Sequence, residues 1–297
     1  MLSSITLTLT PIILIAGLGF LLGKRTDYLD APQIGNLIAN IGIPALLLTS
    51  VLSMEMEIYS MAKILMASIL ILFAMTLITL AFLKLTGQSI RLYLSPLVNP
   101  NAGNLGIPIA YALFGDSGLA IAVVVSSVVQ ISHFTLGVGV MSGQYHPKQL
   151  LKNGPVMALL LGVIALSLSI KLPEAIMSTL TMVSQITLPM MLLLLGHSLS
   201  KLTLKDTEKL KHAVLFSFYR PIMGALVALG ITSLLPLTPL EKSVLIILNA
   251  MPVAVISYML ATKYKGPKEE MALMILMSLP ISLGISGILS WLSLQTL

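Results

Sequence analysis

The 297-residue chain contains no cysteine, which excludes disulfides, thiolate metal sites and thiol nucleophiles. Charge is almost as scarce. Only 9% of residues are Asp, Glu, Lys or Arg, against roughly 25% in an ordinary soluble domain, so a soluble globular protein is excluded. Aromatic residues make up 5%, with one tryptophan. The net charge of +6 therefore has no stacking platform beside it, and nucleic-acid binding is not expected. No HExxH zinc motif, P-loop or GxGxxG fingerprint occurs, so no metal site, cofactor or nucleotide-driven pump is expected. The segment Gly115-Asp116-Ser117-Gly118 looks superficially like a protease nucleophile, but nothing supplies the rest of a triad, and an enzyme is not expected.

What the chain has instead is apolar length. Hydrophobic residues account for 57%, and the mean hydropathy is +1.00. A membrane helix needs about 20 mostly apolar residues. Such runs recur at 3–22, 32–53, 62–84, 90–114, 117–141, 154–170, 175–199, 212–234, 240–262 and 269–293, predicting an all-α polytopic membrane protein of ten spans. The first is read as a span and not a leader, since no Lys or Arg precedes it. Thirteen of the 17 basic residues fall in the odd-numbered loops, and only Lys63, Lys171 and Lys242 in the even ones. Positive charge marks the cytoplasmic side. Both termini are expected on the outer face of a cytoplasmic (inner) membrane.

The two halves echo each other. Pro11 pairs with Pro155, Asn40 and Pro44 with Gln185 and Pro189, and Asn99 with Asn249, at shifts of 144 to 150 residues. Residues 1–142 and 154–297 thus read as two five-helix repeats joined by a short cytoplasmic connector, 143–153. Because five is odd, the second repeat is inverted. Secondary transporters built this way bind their substrate near the midplane, where discontinuous helices meet.

The fourth and ninth spans are the expected discontinuities. Asn99-Pro100-Asn101-Ala102-Gly103-Asn104-Leu105-Gly106-Ile107-Pro108 packs three asparagines, two glycines and two prolines into ten residues. Each proline removes a backbone donor, and each glycine costs about 1 kcal/mol relative to alanine in a helix. Asn249-Ala250-Met251-Pro252 repeats the device in milder form. In each break a proline is expected to open the second half-helix, with Pro100, Pro108 and Pro252 holding the half-helices apart and Gly103 and Gly106 lying within the first break. Two half-helix N-termini would then offer free N–H groups and partial positive charge to an anion. The candidate binding residues are Asn99, Asn101, Asn104 and Asn249, with Asn40 and Gln185 facing them from the opposite wall. Intramembrane ionisable residues add two more. His133 is either a site group or a packed histidine, and Arg220 either neutralises a carboxylate or snorkels to the cytoplasmic interface. Acidic residues, Glu241 and Glu270 among them, all border loops, which argues against a buried-carboxylate proton relay. The coupling ion, sodium or proton, is left open.

The asparagine-rich break, the Asn249-Ala250-Met251-Pro252 segment and the ten-span plan together resemble the auxin efflux carrier family, which includes plant auxin carriers and bacterial permeases for malonate or malate. The resemblance covers the whole chain. It implies a scaffold of spans 1, 2, 6 and 7, and a transport domain of spans 3–5 and 8–10 that carries the broken helices. It also implies elevator-type alternating access, a carboxylate-bearing substrate at the crossing and a homodimer through the scaffold. The expected function is secondary active or facilitative transport of a small organic anion, a mono- or dicarboxylate. The alternative is a channel or carrier for a small neutral solute.

Overall fold

A computed structural model describes residues 2–29, 32–53, 58–143, 154–168, 170–201 and 210–293. The expected connector lies outside these, apart from Gly143. Nearly every described residue is helical, and no strand occurs among them. In chain order the helices are α1 (Leu2–Arg25), α2 (Pro32–Leu37), α3 (Ile43–Ser53), α4 (Ile58–Leu85), α5 (Ile90–Val98), α6 (Ile107–Ser132), α7 (Val138–Ser142), α8 (Gly154–Ser167), α9 (Glu174–Ser200), α10 (Leu210–Leu234), α11 (Pro239–Asn249), α12 (Val255–Lys263) and α13 (Lys268–Ser293). Among the described residues, five helical stretches are long and apolar enough to cross a membrane: Tyr59–Leu85, Ala102–Ser142, Glu174–His197, His212–Leu234 and Glu269–Leu289.

The Ala102–Ser142 stretch is not one straight rod. Gly115 interrupts α6 with φ 63° and ψ −152°, a backbone region open essentially to glycine alone. A Cβ on Gly118 would lie 2.7 Å from the Ala110 carbonyl oxygen, whereas residues eight apart in a continuous helix are separated by about 12 Å. The chain therefore folds back at Gly115, between the stretches 90–114 and 117–141.

Two other interruptions are wide, π-type turns placed just upstream of proline. Ile38–Gly42 precedes Pro44 and Ala102–Gly106 precedes Pro108. A proline ring clashes with the carbonyl four residues earlier, and an inserted residue relieves that clash. A third such turn, His133–Gly137, has no proline. There a Cβ on Gly137 would approach the Ser95 hydroxyl to 2.5 Å, so α5 packs directly on the turn. Pro11 lies inside α1, and Pro155 lies beside the first described residue of α8.

Lipid supplies little drive for helix association, so packing relies on close approach through small residues. Between α1 and α9 this is extreme. A Cβ on Gly196 would overlap the Ala16 carbonyl, and one on Gly19 would overlap the backbone of Leu193. The α3 helix packs on α8 and α9, and a Cβ on Gly42 would sit 2.8 Å from the Thr187 hydroxyl. The other helices gather around α10, which lies against α13, α11 and α4, while α6 packs on α11 and α4. Phe82 stacks on Tyr219 with ring centroids 4.1 Å apart, and Tyr93 tilts onto Phe216 at 4.9 Å. The scarce aromatics thus tie α4, α5 and α10 together.

Gly196→Ala should force α1 and α9 apart and lower the midpoint of thermal unfolding in detergent by several degrees, overpacking typically costing about 1–3 kcal/mol. Gly17→Ala, where nothing lies within 4 Å, should leave the midpoint unchanged or raise it slightly.

Candidate functional site

The two broken spans meet. After α5 the chain is extended at Asn99, with φ −93° and ψ 115°, and after α11 it is non-helical from Met251 to Ala254, extended at Ala254, before α12 begins. The two segments cross as an isolated antiparallel bridge between Pro100 and Val253. The Asn101 N–H donates to the Pro252 carbonyl at 2.9 Å. The Val253 N–H donates to Ser278 Oγ on α13 at 3.1 Å. Backbone groups released by each break are thus satisfied by the other break and by a serine behind it, as burial at membrane depth requires.

The expectation is corrected for the second break. Pro252 does not open the helix that follows, which starts at Val255, and Pro100 likewise precedes the helical turn that starts at Ala102. Both prolines lie within the crossing itself, where the paired backbone must be extended and proline's missing N–H breaks no helical bond. Pro108 does take its expected place in the first turn of a helix, at the start of α6.

Around the crossing, buried polar groups are left with unused capacity. Asn99 is fully buried; its Nδ2 donates to Ser95 Oγ at 3.3 Å, while Oδ1 has no partner among the described residues. Asn101 is buried, and its Nδ2 has no partner among them either. Asn104 is half-buried on the Ala102–Gly106 turn. Asn249 is buried, and its side chain donates to the Leu245 carbonyl at 2.8 Å, capping its own helix. Gly103 and Gly106 bring the backbone near Gln130, Leu248 and Met251.

Arg220 does not snorkel. Its side chain is 0% exposed, and Nη1 donates to the Asn249 carbonyl oxygen at 3.0 Å. Nε and Nη2 have no hydrogen-bond partner among the described residues. Snorkelling needs a clear path along the helix surface to the interface. Here Arg220 is buried while Phe218, Ile222 and Leu226 on the same helix are exposed, so its side chain turns inward, away from the lipid-facing side of α10, and the guanidinium is drawn to the carbonyl freed at the end of α11. Gly224, one turn further along α10, makes this possible: any Cβ there would overlap both Asn249 O and Arg220 Nη1. His133 is buried, touches the Val129 carbonyl, lies within electrostatic reach of Arg220 and keeps Nε2 unpartnered.

Asn40 and Gln185 are not brought to this cluster. Both are exposed, and Asn40 Nδ2 donates at 2.9 Å to the Asn36 carbonyl in its own helix. The inward positions on those helices are Gly42 and Thr187. Two acids thought merely to border loops are buried. Glu241 closes a capping box with Thr238 and lies 3.9 Å from Lys63, and Glu270 accepts a hydrogen bond from the Tyr93 hydroxyl. Ser95, Gly224 and Ser278 escaped sequence reasoning. A signal for the last was present, since Ser278, Ser282 and Ser286 recur every four residues on one face of α13, all buried.

Ser278→Ala would strand the Val253 N–H in an apolar interior, a loss of about 1–3 kcal/mol. It should lower the thermal midpoint and speed hydrogen exchange at Val253 while leaving the amides of α4 protected.

The comparisons with known proteins agree with this architecture. A family model described as membrane transport protein matches residues 4–148 and 140–288. An uncharacterized transporter of the archaeon Methanocaldococcus jannaschii is 29% identical over 204 residues, 66% of each chain, so the match spans just under two thirds of that relative's length. With several apolar helices and a family match running almost end to end, the chain is a multi-pass membrane protein that belongs to the membrane transport protein family, the auxin efflux carriers.

Proposed function

We propose that this protein is a secondary carrier for a small organic anion, whose carboxylate binds at the crossing of the two broken helices. The observation that carries this reading is Arg220. A buried cation is expensive unless paired, and no carboxylate among the described residues lies within ion-pair reach of it. It spends one donor on Asn249 O and holds Nε and Nη2 free, a fork that suits a carboxylate. Asn99 Oδ1 and Asn101 Nδ2 add an acceptor and a donor nearby for a substrate hydroxyl or second oxygen.

In this reading the chain crosses the inner membrane ten times as two inverted five-helix repeats, with both termini outside. The helices α1, α3, α8 and α9, which pack on one another, are the fixed scaffold and the dimer face. The remainder, centred on α10 and the crossing, moves against them and exposes the site to each side in turn. The glycine-mediated closeness of α1 and α9 supports a rigid scaffold. Among the described residues the main contacts between the two groups are those of α6 and Ala102–Gly106 with the scaffold helices, with a small one from α4 to α8, which supports a movable boundary.

Two measurements test this. Thermal unfolding of the detergent-purified protein against a panel of carboxylates, each with sodium or potassium, should show stabilisation by at least one of them. A ligand specific to the folded state adds about 2.7 kcal/mol at 100 times its Kd. Shifts from neutral solutes alone would replace this reading with the neutral-solute one. In proteoliposomes, Asn99→Ala and Asn249→Ala should each reduce saturable carboxylate uptake at least tenfold without loss of folded protein. Unchanged kinetics in both would place the site elsewhere.

A further inference from the structure

We infer that the carrier works as an obligate exchanger of monovalent carboxylates: its empty form does not readily change sides, and one anion leaves for each that enters. This rests on the proposed site and its moving body, and follows from the charge on that body. Arg220 is 0% exposed, and α10 packs against α11, α13 and α4, so the arginine travels with the crossing. The groups electrostatically coupled to it are Tyr219 and His133, and neither carries negative charge at neutral pH. Among the described residues, the wall it must pass offers no buried counter-charge. On α1, α3, α8, α9 and the described residues flanking them, the acids are Asp27 and Glu174, both exposed at helix ends.

An empty carrier would therefore have to drag a buried, singly hydrogen-bonded cation through a low-dielectric seal. There the unfavourable self-energy of the charge is largest, and the membrane potential acts on it as well. A bound carboxylate makes the moving body neutral at the site and removes both obstacles. Rapid reorientation is thereby reserved for the loaded form. One fixed charge also matches one carboxylate. A dianion would leave the loaded body negative and face the same barrier with opposite sign.

The test uses the purified full chain in liposomes under a potassium–valinomycin voltage clamp, with labelled lactate as the monoanion and labelled malonate as the dianion. Vesicles contain either the same anion unlabelled or chloride alone. Lactate uptake should be at least tenfold faster with internal lactate, and this exchange should be insensitive to voltage, whereas the slow net uptake into chloride vesicles should vary with it. Lactate should exchange faster than malonate. Arg220→Lys keeps the charge and should keep the tenfold ratio. Arg220→Gln should raise KM but bring the ratio of exchange to net uptake close to one, because the empty body no longer carries a charge.

Saturable uptake that is equally fast with and without internal anion would overturn exchange while leaving the carboxylate site standing. An unchanged ratio in Arg220→Gln would overturn the charge argument, and faster malonate exchange would overturn the match to a monoanion. Absence of saturable uptake of either anion would overturn the proposed site and this inference with it.

Discussion

Every other feature of the site depends on the need to satisfy backbone polar groups at membrane depth. A helix that stops mid-membrane releases N–H and C=O groups that lipid cannot bind, at a cost of several kcal/mol each. Two such stops in one chain become tolerable when they are laid across each other. The bond from the Asn101 N–H to the Pro252 carbonyl, and that from the Val253 N–H to Ser278, convert two defects into one short antiparallel contact. This also explains why the prolines lie in the crossing. Extended backbone is required there, proline favours it, and a missing N–H goes unmissed on the side that faces no partner.

The crossing draws in its neighbours by the same logic. The Asn249 carbonyl, freed at the end of α11, is taken up by Arg220 from α10, and only a residue without a side chain at position 224 permits the approach. A cation has thus been buried to satisfy a carbonyl, and it brings more donors than the carbonyl can use. In the proposed function its surplus, together with Asn99 Oδ1 and Asn101 Nδ2, receives the anion. On that proposal structural necessity and binding chemistry share the same atoms, so stability and transport should respond together to changes at this point.

Legibility in the sequence varied with range. The break between Asn99 and Pro108 was readable because prolines and glycines act on the chain within a few residues of themselves, and the reversal at Gly115 fell between two apolar runs. Asn40 and Gln185 were misread for the opposite reason. An amide four residues before a proline says nothing about which way that face of the helix turns, and both proved exposed, with Asn40 bonded to its own helix. Position along the chain leaves Arg220 open between a carboxylate and the interface, and only its burial, with Nη1 on the Asn249 carbonyl, decides against the interface. Glu241 and Glu270 stand where the loops begin, yet a capping box and a tyrosine hydroxyl bury them.

Composition and local pattern make this a helical membrane protein and mark where its helices must fail. Each of these follows from composition over a window of one helix or less. Tertiary structure decided which groups answer the broken backbone, that the arginine is buried and not at the surface, and which glycines sit at the points of closest approach. The partners involved lie 25 residues apart for Val253 and Ser278, 29 for Arg220 and Asn249, and far more for Asn101 and Pro252. Contacts over such separations are set by how helices pack, where a single small residue fixes the distance, and no local pattern in the chain records that.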